Sequence, residues 1–283
     1  MPEDILVKQC SVTDDIAVVC PTYNSAAYIN RTLDTLLSQI VTPEEVFFSD
    51  DGSQDNTVEI IEKNREQFTQ VGIELKVLNN LHEGPGAARN HGILATKLPW
   101  IAFLDADDTW KPEKLKRVRQ TIKKYPDFNC ILHWEEYVRV DGSVTTLEHG
   151  ENFQQNLPVS KQLYRNNFLS TSAVVCRRSL LQEVGCFDVT LPNGQDYDLW
   201  LKMSPMVKIK IIPEILGSYL EVATSITARP YYKRFFSYLR IALRHRDKGN
   251  IWVLLWKIVR ILISKQWFYT LNNLLQRKAN HNH

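Results

Sequence analysis

Two hydrophobic runs of strand length each end in a knot of aspartates. Val46-Phe47-Phe48-Ser49 leads into Asp50-Asp51-Gly52-Ser53, and Trp100-Ile101-Ala102-Phe103-Leu104 leads into Asp105-Ala106-Asp107-Asp108. Carboxylates gathered in this way repel one another and desolvate poorly. In an open α/β sheet the carboxyl ends of the strands form the ligand crevice, and acidic clusters make sense there if a cation sits among them or a ligand donates hydrogen bonds to them. Hard divalent ions such as Mg²⁺ take one or two carboxylates together with substrate phosphate oxygens. The pattern is the outline of an enzyme for a nucleotide diphosphate.

The alternation around these runs sets the fold class. Ile16-Ala17-Val18-Val19-Cys20 is a short apolar strand closed by Pro21, and a helical pattern follows through Tyr28, Ile29, Leu33, Leu36 and Leu37. Asp55 is placed to cap a helix carrying Val58, Ile60 and Ile61. Ile73 to Leu78 reads as a third strand, and Gly86-Ala87-Ala88-Arg89-Asn90 opens a helix before the strand at Trp100. Trp110-Lys111-Pro112 starts a further helix ending near Tyr125-Pro126. Strands alternating with helices predict βαβ units, hence an α/β fold with a mostly parallel central sheet flanked by helices. The segments Trp134 to Thr146 and Asn152 to Arg165 are too irregular to read.

Four of these segments, with a fifth, resemble a known family. Pro21-Thr22-Tyr23-Asn24, Asp50-Asp51-Gly52-Ser53, Gly86-Ala87-Ala88-Arg89-Asn90 and Asp105-Ala106-Asp107-Asp108 stand in the order and context of the family 2 glycosyltransferases. Gln195-Asp196-Tyr197-Asp198-Leu199-Trp200 is similar to that family's acceptor-side acidic motif. The resemblance covers roughly residues 14 to 227 and implies the GT-A fold and an inverting sugar transfer from a UDP-sugar.

The resemblance also assigns expected roles. Tyr23 would lie against the uracil ring and Asp51 would accept the uracil N3–H, a task that suits a group that only accepts. Pro21 would fix the loop, Asn24 would open the following helix, and Asp50 would be a turn or cap residue. Gly84-Pro85-Gly86 before a helix N-terminus suits close approach of phosphates, and the Arg89 guanidinium would pair with the diphosphate or with the acidic pair. Asp105 and Asp107 form the DxD pair. Asp107 would bind a divalent cation, Mg²⁺ or Mn²⁺, bridging the diphosphate, and Asp105 would reach the ribose or a metal-bound water. Asp108 is either a cap or a group supporting the pair from behind. His82 and His91 lack metal-ligand spacing.

Inversion needs a general base to take the acceptor hydroxyl's proton. The resemblance implies Asp196, after the turn Asn193-Gly194-Gln195, with Asp198 pointing elsewhere on a helix and serving as a cap. Two positions depart from the family pattern. Gln195 stands where a glutamate is common, and Val222 stands where many relatives carry a histidine that supports the diphosphate or metal. Glu221, next to Val222, faces the opposite way on a strand.

The 283 residues suffice for one such domain with a small appendage. The expected organisation is a lead-in at 1–13, a catalytic domain at 14–227 (nucleotide-sugar half 14–110, acceptor half 111–227) and a helical tail at 228–283. The five cysteines are scattered without a CxxC pair, which suits a reducing cytoplasm, and with an acidic start no signal peptide is expected. The net charge of +2 hides an asymmetry: residues 1–227 carry 22 Lys/Arg against 31 Asp/Glu, whereas 228–283 carry 12 against the single Asp247, or −9 against +11. In the tail, Asn250 is placed to cap a helix whose Lys257, Arg260 and Ser264 form a narrow polar stripe in an otherwise apolar run, Ile251 to Ile263. That run is too short to span a bilayer. A basic, Trp-rich helix fits one lying on an anionic membrane; packing on the catalytic domain or on a second subunit is the other reading.

These observations predict a glycosyltransferase that moves a hexosyl or N-acetylhexosaminyl group from a UDP-sugar to a glycan or lipid-linked acceptor. It would serve cell-envelope polysaccharide synthesis at the cytoplasmic face of the membrane, with homo-oligomerisation left open and no nucleic-acid partner. A catalytically silent sugar-nucleotide-binding subunit is the alternative. A nucleotidyltransferase would carry an early Gly-rich loop with lysine, which Pro21-Thr22-Tyr23-Asn24 is not.

Overall fold

The computed structural model describes residues 13–221 and 231–262; almost all of the expected lead-in, and Val222, lie outside the described residues. The chain runs β1 (Ile16–Thr22), α1 (Ile29–Leu37), β2 (Glu45–Asp50), α2 (Thr57–Lys63), α3 (Arg65–Gln70), β3 (Glu74–Asn79), α4 (Pro85–Ala95) and β4 (Trp100–Phe103). It continues with β5 (Thr109–Trp110), α5 (Lys114–Lys124), β6 (Cys130–Val138), β7 (Val144–Leu147), α6 (Val159–Arg165), β8 (Val174–Arg177), α7 (Arg178–Glu183), α8 (Gln195–Met203) and β9 (Ile209–Leu220). Two helices, α9 (Tyr231–Arg244) and α10 (Ile251–Leu262), follow.

One sheet organises the molecule in the order β3-β2-β1-β4-β8-β6-β9-β5, with β7 on β6. The expected parallel pairing holds throughout β3-β2-β1-β4. Beyond β4 the sheet is mixed: β8 is antiparallel to both β4 and β6, while β6 and β9 are parallel. Alternate residues of β1 enter opposite cores, Ala17 and Val19 one, Ile16, Val18 and Cys20 the other, as period-two geometry requires of a strand covered on both faces. Against β1 lies α4, packed so closely that a β-carbon on Gly92 would come within 2.6 Å of Val19 Cγ1. Cys20, Cys130, Cys176 and Cys186 are free, buried thiols.

Two local expectations change. Trp110 does not begin a helix: with Thr109 it forms the short β5 against Ser218 and Gly217 of β9, and α5 starts at Lys114. Nor does Asn24 open α1. It adopts φ +48, and its side-chain oxygen accepts the Gln54 N–H at 2.8 Å while its own N–H reaches Ser53 Oγ at 2.9 Å. The asparagine thus ties the β1 loop to the β2 loop, a use of the left-handed conformation that Asn tolerates.

The tail helices dock on the domain. Ile241 is fully buried in the core, and the Tyr164 hydroxyl donates to the Ala242 carbonyl at 2.8 Å. Asn250 caps α10 as expected, its side-chain oxygen accepting the Val253 N–H at 2.9 Å. Lys257 turns inward: its ammonium lies 2.9 Å from the Tyr197 hydroxyl and 5.1 Å from the ring centres of both Tyr164 and Tyr197. Ile251, Trp252, Leu255, Trp256 and Val259 are left on the exposed side. Among the described residues no helix is long and apolar enough to cross a membrane.

Candidate active site

The carboxyl ends of β1, β2 and β4 lie side by side, and the loops that leave them build the site. At the end of β2, Asp50 and Asp51 divide their work. Asp50 accepts from Thr22 Oγ1 (2.8 Å) and from the Ser53 N–H and hydroxyl (2.7 and 2.6 Å), so it holds the turn, as expected. The buried Asp51 carboxylate accepts the N–H groups of Glu83 (2.8 Å) and Gly84 (3.0 Å) and lies 2.8 Å from His82 Nδ1. His82, for which the sequence offered no role, stacks its ring on Tyr23 with centres 4.3 Å apart. Tyr23 remains 45% exposed. Tyr23, Asp51 and His82 therefore form one polar, aromatic corner of the crevice, beside Pro21 at the end of β1 and the Asn24 bridge.

A second corner is charged. Arg89, 7% exposed on α4, places Nη2 2.5 Å from Asp105 Oδ1. Its guanidinium lies 5.5 Å from the Phe187 ring centre, and its buried Nε has no acceptor. Burial works against the charged guanidinium, but the charge and hydrogen bond of Asp105, with the charge of Asp196, outweigh it and raise the pKa of Arg89. Removal from water, with the charge of Asp105, pushes the Asp107 carboxyl up to about 6. Asp196, half-buried in the first turn of α8, is also raised, first by burial, against the opposing charge of Arg89. Arg89 and Asp105 thus act on both Asp107 and Asp196, although the four come from three separate stretches of chain.

A buried polar network supports this acidic turn. Ser172 Oγ accepts the Asp105 N–H at 3.0 Å and donates to Asp108 Oδ2 at 2.6 Å. The Ser172 carbonyl accepts from Trp110 Nε1 (3.0 Å) and from the fully buried Lys114 ammonium (2.7 Å), which lies 3.4 Å from the Trp110 ring centre. Burial drives Lys114 well below the usual lysine range and Asp108 well above that of a carboxyl. Asp108 also accepts the Leu220 N–H at 3.2 Å, so it supports the pair from behind and caps no helix. Sequence reasoning missed Ser172 and Lys114 altogether, because neither stands in a motif.

The acceptor-side motif is fixed by contacts that the sequence left open. The Gln195 amide donates to the Leu191 carbonyl at 2.6 Å, and its stem packs on Gly86 of α4. A glutamate could not make that donation when ionised, which accounts for the amide here. Asn90 holds the preceding loop, donating to the Phe187 carbonyl and accepting its N–H, each at 2.9 Å. Asp198 is no cap: fully buried, it meets Arg244 and His245 of the tail and Lys202. Glu221 turns to the β6–β7 end, where its carboxylate accepts the Val140 N–H at 3.3 Å.

With this geometry in place, the likeness to known proteins is decisive at the level of family. Residues 17–185, more than half of the chain, match the family described as glycosyl transferase family 2. The chain belongs to glycosyl transferase family 2. An uncharacterized glycosyltransferase from Nostoc sp. is 32% identical over 176 residues, 60% of this chain and 52% of that protein. The chondroitin synthase of Pasteurella multocida is 27% identical over 206 residues, 71% of this chain but 20% of that one. The chain therefore spans about half, or much less, of these relatives. Among solved folds, S. aureus TarS 1-349 in complex with UDP-GlcNAc superposes with a TM-score of 0.65 at 22% identity, covering 81% of this chain and 66% of that one. The mannosyltransferase of Pyrobaculum calidifontis in complex with GDP-Man and Mn2+ gives 0.64 at 17% identity, covering 89% and 71%. This family 2 chain thus has the GT-A fold expected from its motifs.

Within the family 2 fold, metal fit can be judged from the donor set. Among the described residues no group of three or more His, Cys, Asp or Glu side chains forms a ready metal cage. Asp105 is engaged by Arg89, and Asp107 is repelled by the Asp105 carboxylate. One or two carboxylates completed by phosphate oxygens is the set that Mg²⁺ takes with a nucleotide substrate, so the residues fit an ion that arrives with the diphosphate.

Proposed function

We propose that this chain is an inverting glycosyltransferase that moves a sugar from a UDP-sugar to a hydroxyl of a glycan or lipid-linked acceptor. The observation that carries the reading is the 2.5 Å ion pair of the buried Arg89 with Asp105 at the carboxyl end of β4, close enough to Asp196 for the charges to act on it. It joins a diphosphate-suited corner to a half-buried carboxylate of raised pKa.

The Tyr23–Asp51–His82 corner receives the base, with Tyr23 offering its ring and Asp51 accepting an N–H, and Pro21 and Asn24 fixing the loop that presents Tyr23. Arg89, with an N–H that lacks an acceptor, pairs with the diphosphate. Asp107, with Asp105, is the residue that would hold Mg²⁺ or Mn²⁺, and such an ion supplies neutralisation of the negative charge growing on the leaving diphosphate. Asp196 accepts the proton of the acceptor hydroxyl as that oxygen attacks the anomeric carbon from the face opposite the leaving group. Its raised pKa makes it a stronger base than an exposed aspartate. The neighbours bound to UDP-GlcNAc and to GDP-Man with Mn2+ support a nucleotide-sugar donor and a divalent ion.

The same reading places 14–227 as the catalytic domain and the basic tail 228–283 on an anionic membrane at the cytoplasmic face, beside a lipid-linked acceptor. The outward row of Ile251, Trp252, Leu255, Trp256 and Val259, set in a segment of +11, suits the headgroup level. Release of free nucleotide from a panel of UDP-sugars and GDP-mannose tests the assignment. The reading expects turnover with at least one UDP-sugar and little with GDP-mannose. No turnover with any UDP-sugar would leave a silent binding subunit; preference for GDP-mannose would overturn the uracil assignment.

A further inference from the structure

Asp196 sits in the first turn of α8, and the residues on both sides of it are held by the C-terminal helices. Asp198, fully buried, takes His245 Nε2 at 2.9 Å and Arg244 Nη1 at 2.9 Å, with Lys202 Nζ at 3.0 Å. Arg244 reaches on to Asp188 Oδ2 at 2.7 Å, in the loop ahead of α8. Tyr197 takes Lys257 from α10 at 2.9 Å. Gly194, just before α8, has φ +71, and a β-carbon there would lie 3.0 Å from Ile241 Cδ1 and 3.5 Å from the Tyr238 ring. Gly194, Tyr197 and Asp198 thus each touch α9 or α10. A tail that is only an appendage would not bury a carboxylate two residues from the candidate base and satisfy it with its own cation and imidazole.

We propose that α9 and α10 form a clamp that positions Asp196, with His245, Arg244 and Lys257 as its positioning residues. The inference rests on reading Asp196 as the general base. A buried carboxylate is costly unless its partners stay in place, so Asp198 locks the rotation and advance of α8 to the position of α9. Burial alone would raise Asp198; the hydrogen bonds of His245 and Lys202 and the charges of Lys202 and Arg244 outweigh it and hold the carboxyl below its ordinary range. A general base must lie within hydrogen-bond reach of the proton it takes. The donor corner, built from β1, β2, α4 and β4, meets the tail only at one remove, where Gly86, Arg89 and Asn90 of α4 lie against Gln195 and Phe187. The clamp therefore acts on turnover far more than on nucleotide binding.

The test uses the full chain, nucleotide release from the most active UDP-sugar of the panel, UDP titration calorimetry and thermal melting. His245→Leu removes the N–H that meets Asp198; His245→Gln keeps an N–H donor at the end of the side chain. The clamp predicts a kcat loss of roughly 10- to 100-fold for His245→Leu, with UDP affinity and donor KM within about twofold of the parent and most of kcat restored in His245→Gln. Should His245→Leu fail to fold, Lys257→Met, which keeps the stem over Tyr164 and Tyr197, is read the same way and should lower kcat several-fold with UDP affinity unchanged. Normal kcat in the folded variant, or kcat and UDP affinity falling together, overturns the clamp. Loss of turnover in Asp196→Asn alongside a normal His245→Leu discards the clamp alone, whereas normal turnover in Asp196→Asn discards the base assignment beneath it.

Discussion

Arg89 and Asp105 form a 2.5 Å ion pair across two motifs that lie 16 residues apart, one on α4 and one at the end of β4. The pair does not use the whole guanidinium, since the buried Nε keeps an N–H without an acceptor. Lysine has a compact point charge and no planar fork, so it meets Asp105 and a diphosphate together less well. Arg89→Lys is expected to weaken UDP binding by roughly 10- to 100-fold, the range for a hydrogen bond to a charged group. Calorimetry reads this directly. Unchanged affinity would remove Arg89 from the diphosphate site.

Divalent-ion dependence follows from the Asp105–Asp107 pair. UDP is expected to bind more tightly with Mg²⁺ or Mn²⁺ present than after chelation, and Asp107→Ala should abolish the difference. Calorimetric titrations under both conditions measure it. Equal affinity with and without the ion, or normal turnover by Asp107→Ala, would contradict the metal assignment.

Ser172 should matter more than its size suggests. Ser172→Ala removes both the acceptor of the Asp105 N–H and the donor to the buried Asp108 carboxylate. Leaving buried polar groups unpaired costs roughly 1–3 kcal/mol, to be seen as a lower midpoint in chemical denaturation. Turnover should fall with it, because the Asp105 backbone loses its anchor. A variant with parental midpoint and turnover would show that the acidic turn holds itself.

The membrane assignment is tested without cutting the chain. Truncation at residue 227 would uncover the core position of Ile241 and the buried Asp198, so its behaviour would mix unfolding with lost binding. Trp252→Glu with Leu255→Glu changes only exposed positions of α10. The full chain should co-sediment with vesicles of anionic lipid at low salt, and the double variant should stay largely in the supernatant. Equal sedimentation of both proteins, or none by the parent, would make the outward face a packing surface.

Much of the nucleotide half was legible because strands covered on both faces are continuous apolar runs, and β2 and β4 lead into the aspartates. The Asn250 cap was legible for the same local reason. What failed depended on pairing across long sequence distances. Trp110 reads as helix until β9 arrives beside it. Asn24 reads as a cap until Gln54 approaches. The polar stripe of α10 was visible, but not that Lys257 faces inward over two aromatic rings, because an amphipathic pattern gives two faces and does not say which one meets the protein. The Ser172–Lys114 network had no signal, since an isolated serine or lysine looks the same buried or exposed, and Asp198 read as a cap because its partners Arg244 and His245 lie 46 and 47 residues on.

The central claim, that Asp196 takes the acceptor's proton, is tested most directly by the turnover of Asp196→Asn set against its UDP affinity. The amide keeps the size of the side chain and cannot accept the proton. The account predicts a loss of roughly 10²–10⁴-fold in kcat with UDP affinity little changed. In the parent, the base is protonated and idle in acid, and because burial raises the Asp196 carboxyl, kcat should rise at a higher pH than for an exposed aspartate and then level off. Retention of parental kcat by Asp196→Asn, with the acid limb of the pH profile unmoved, would contradict it.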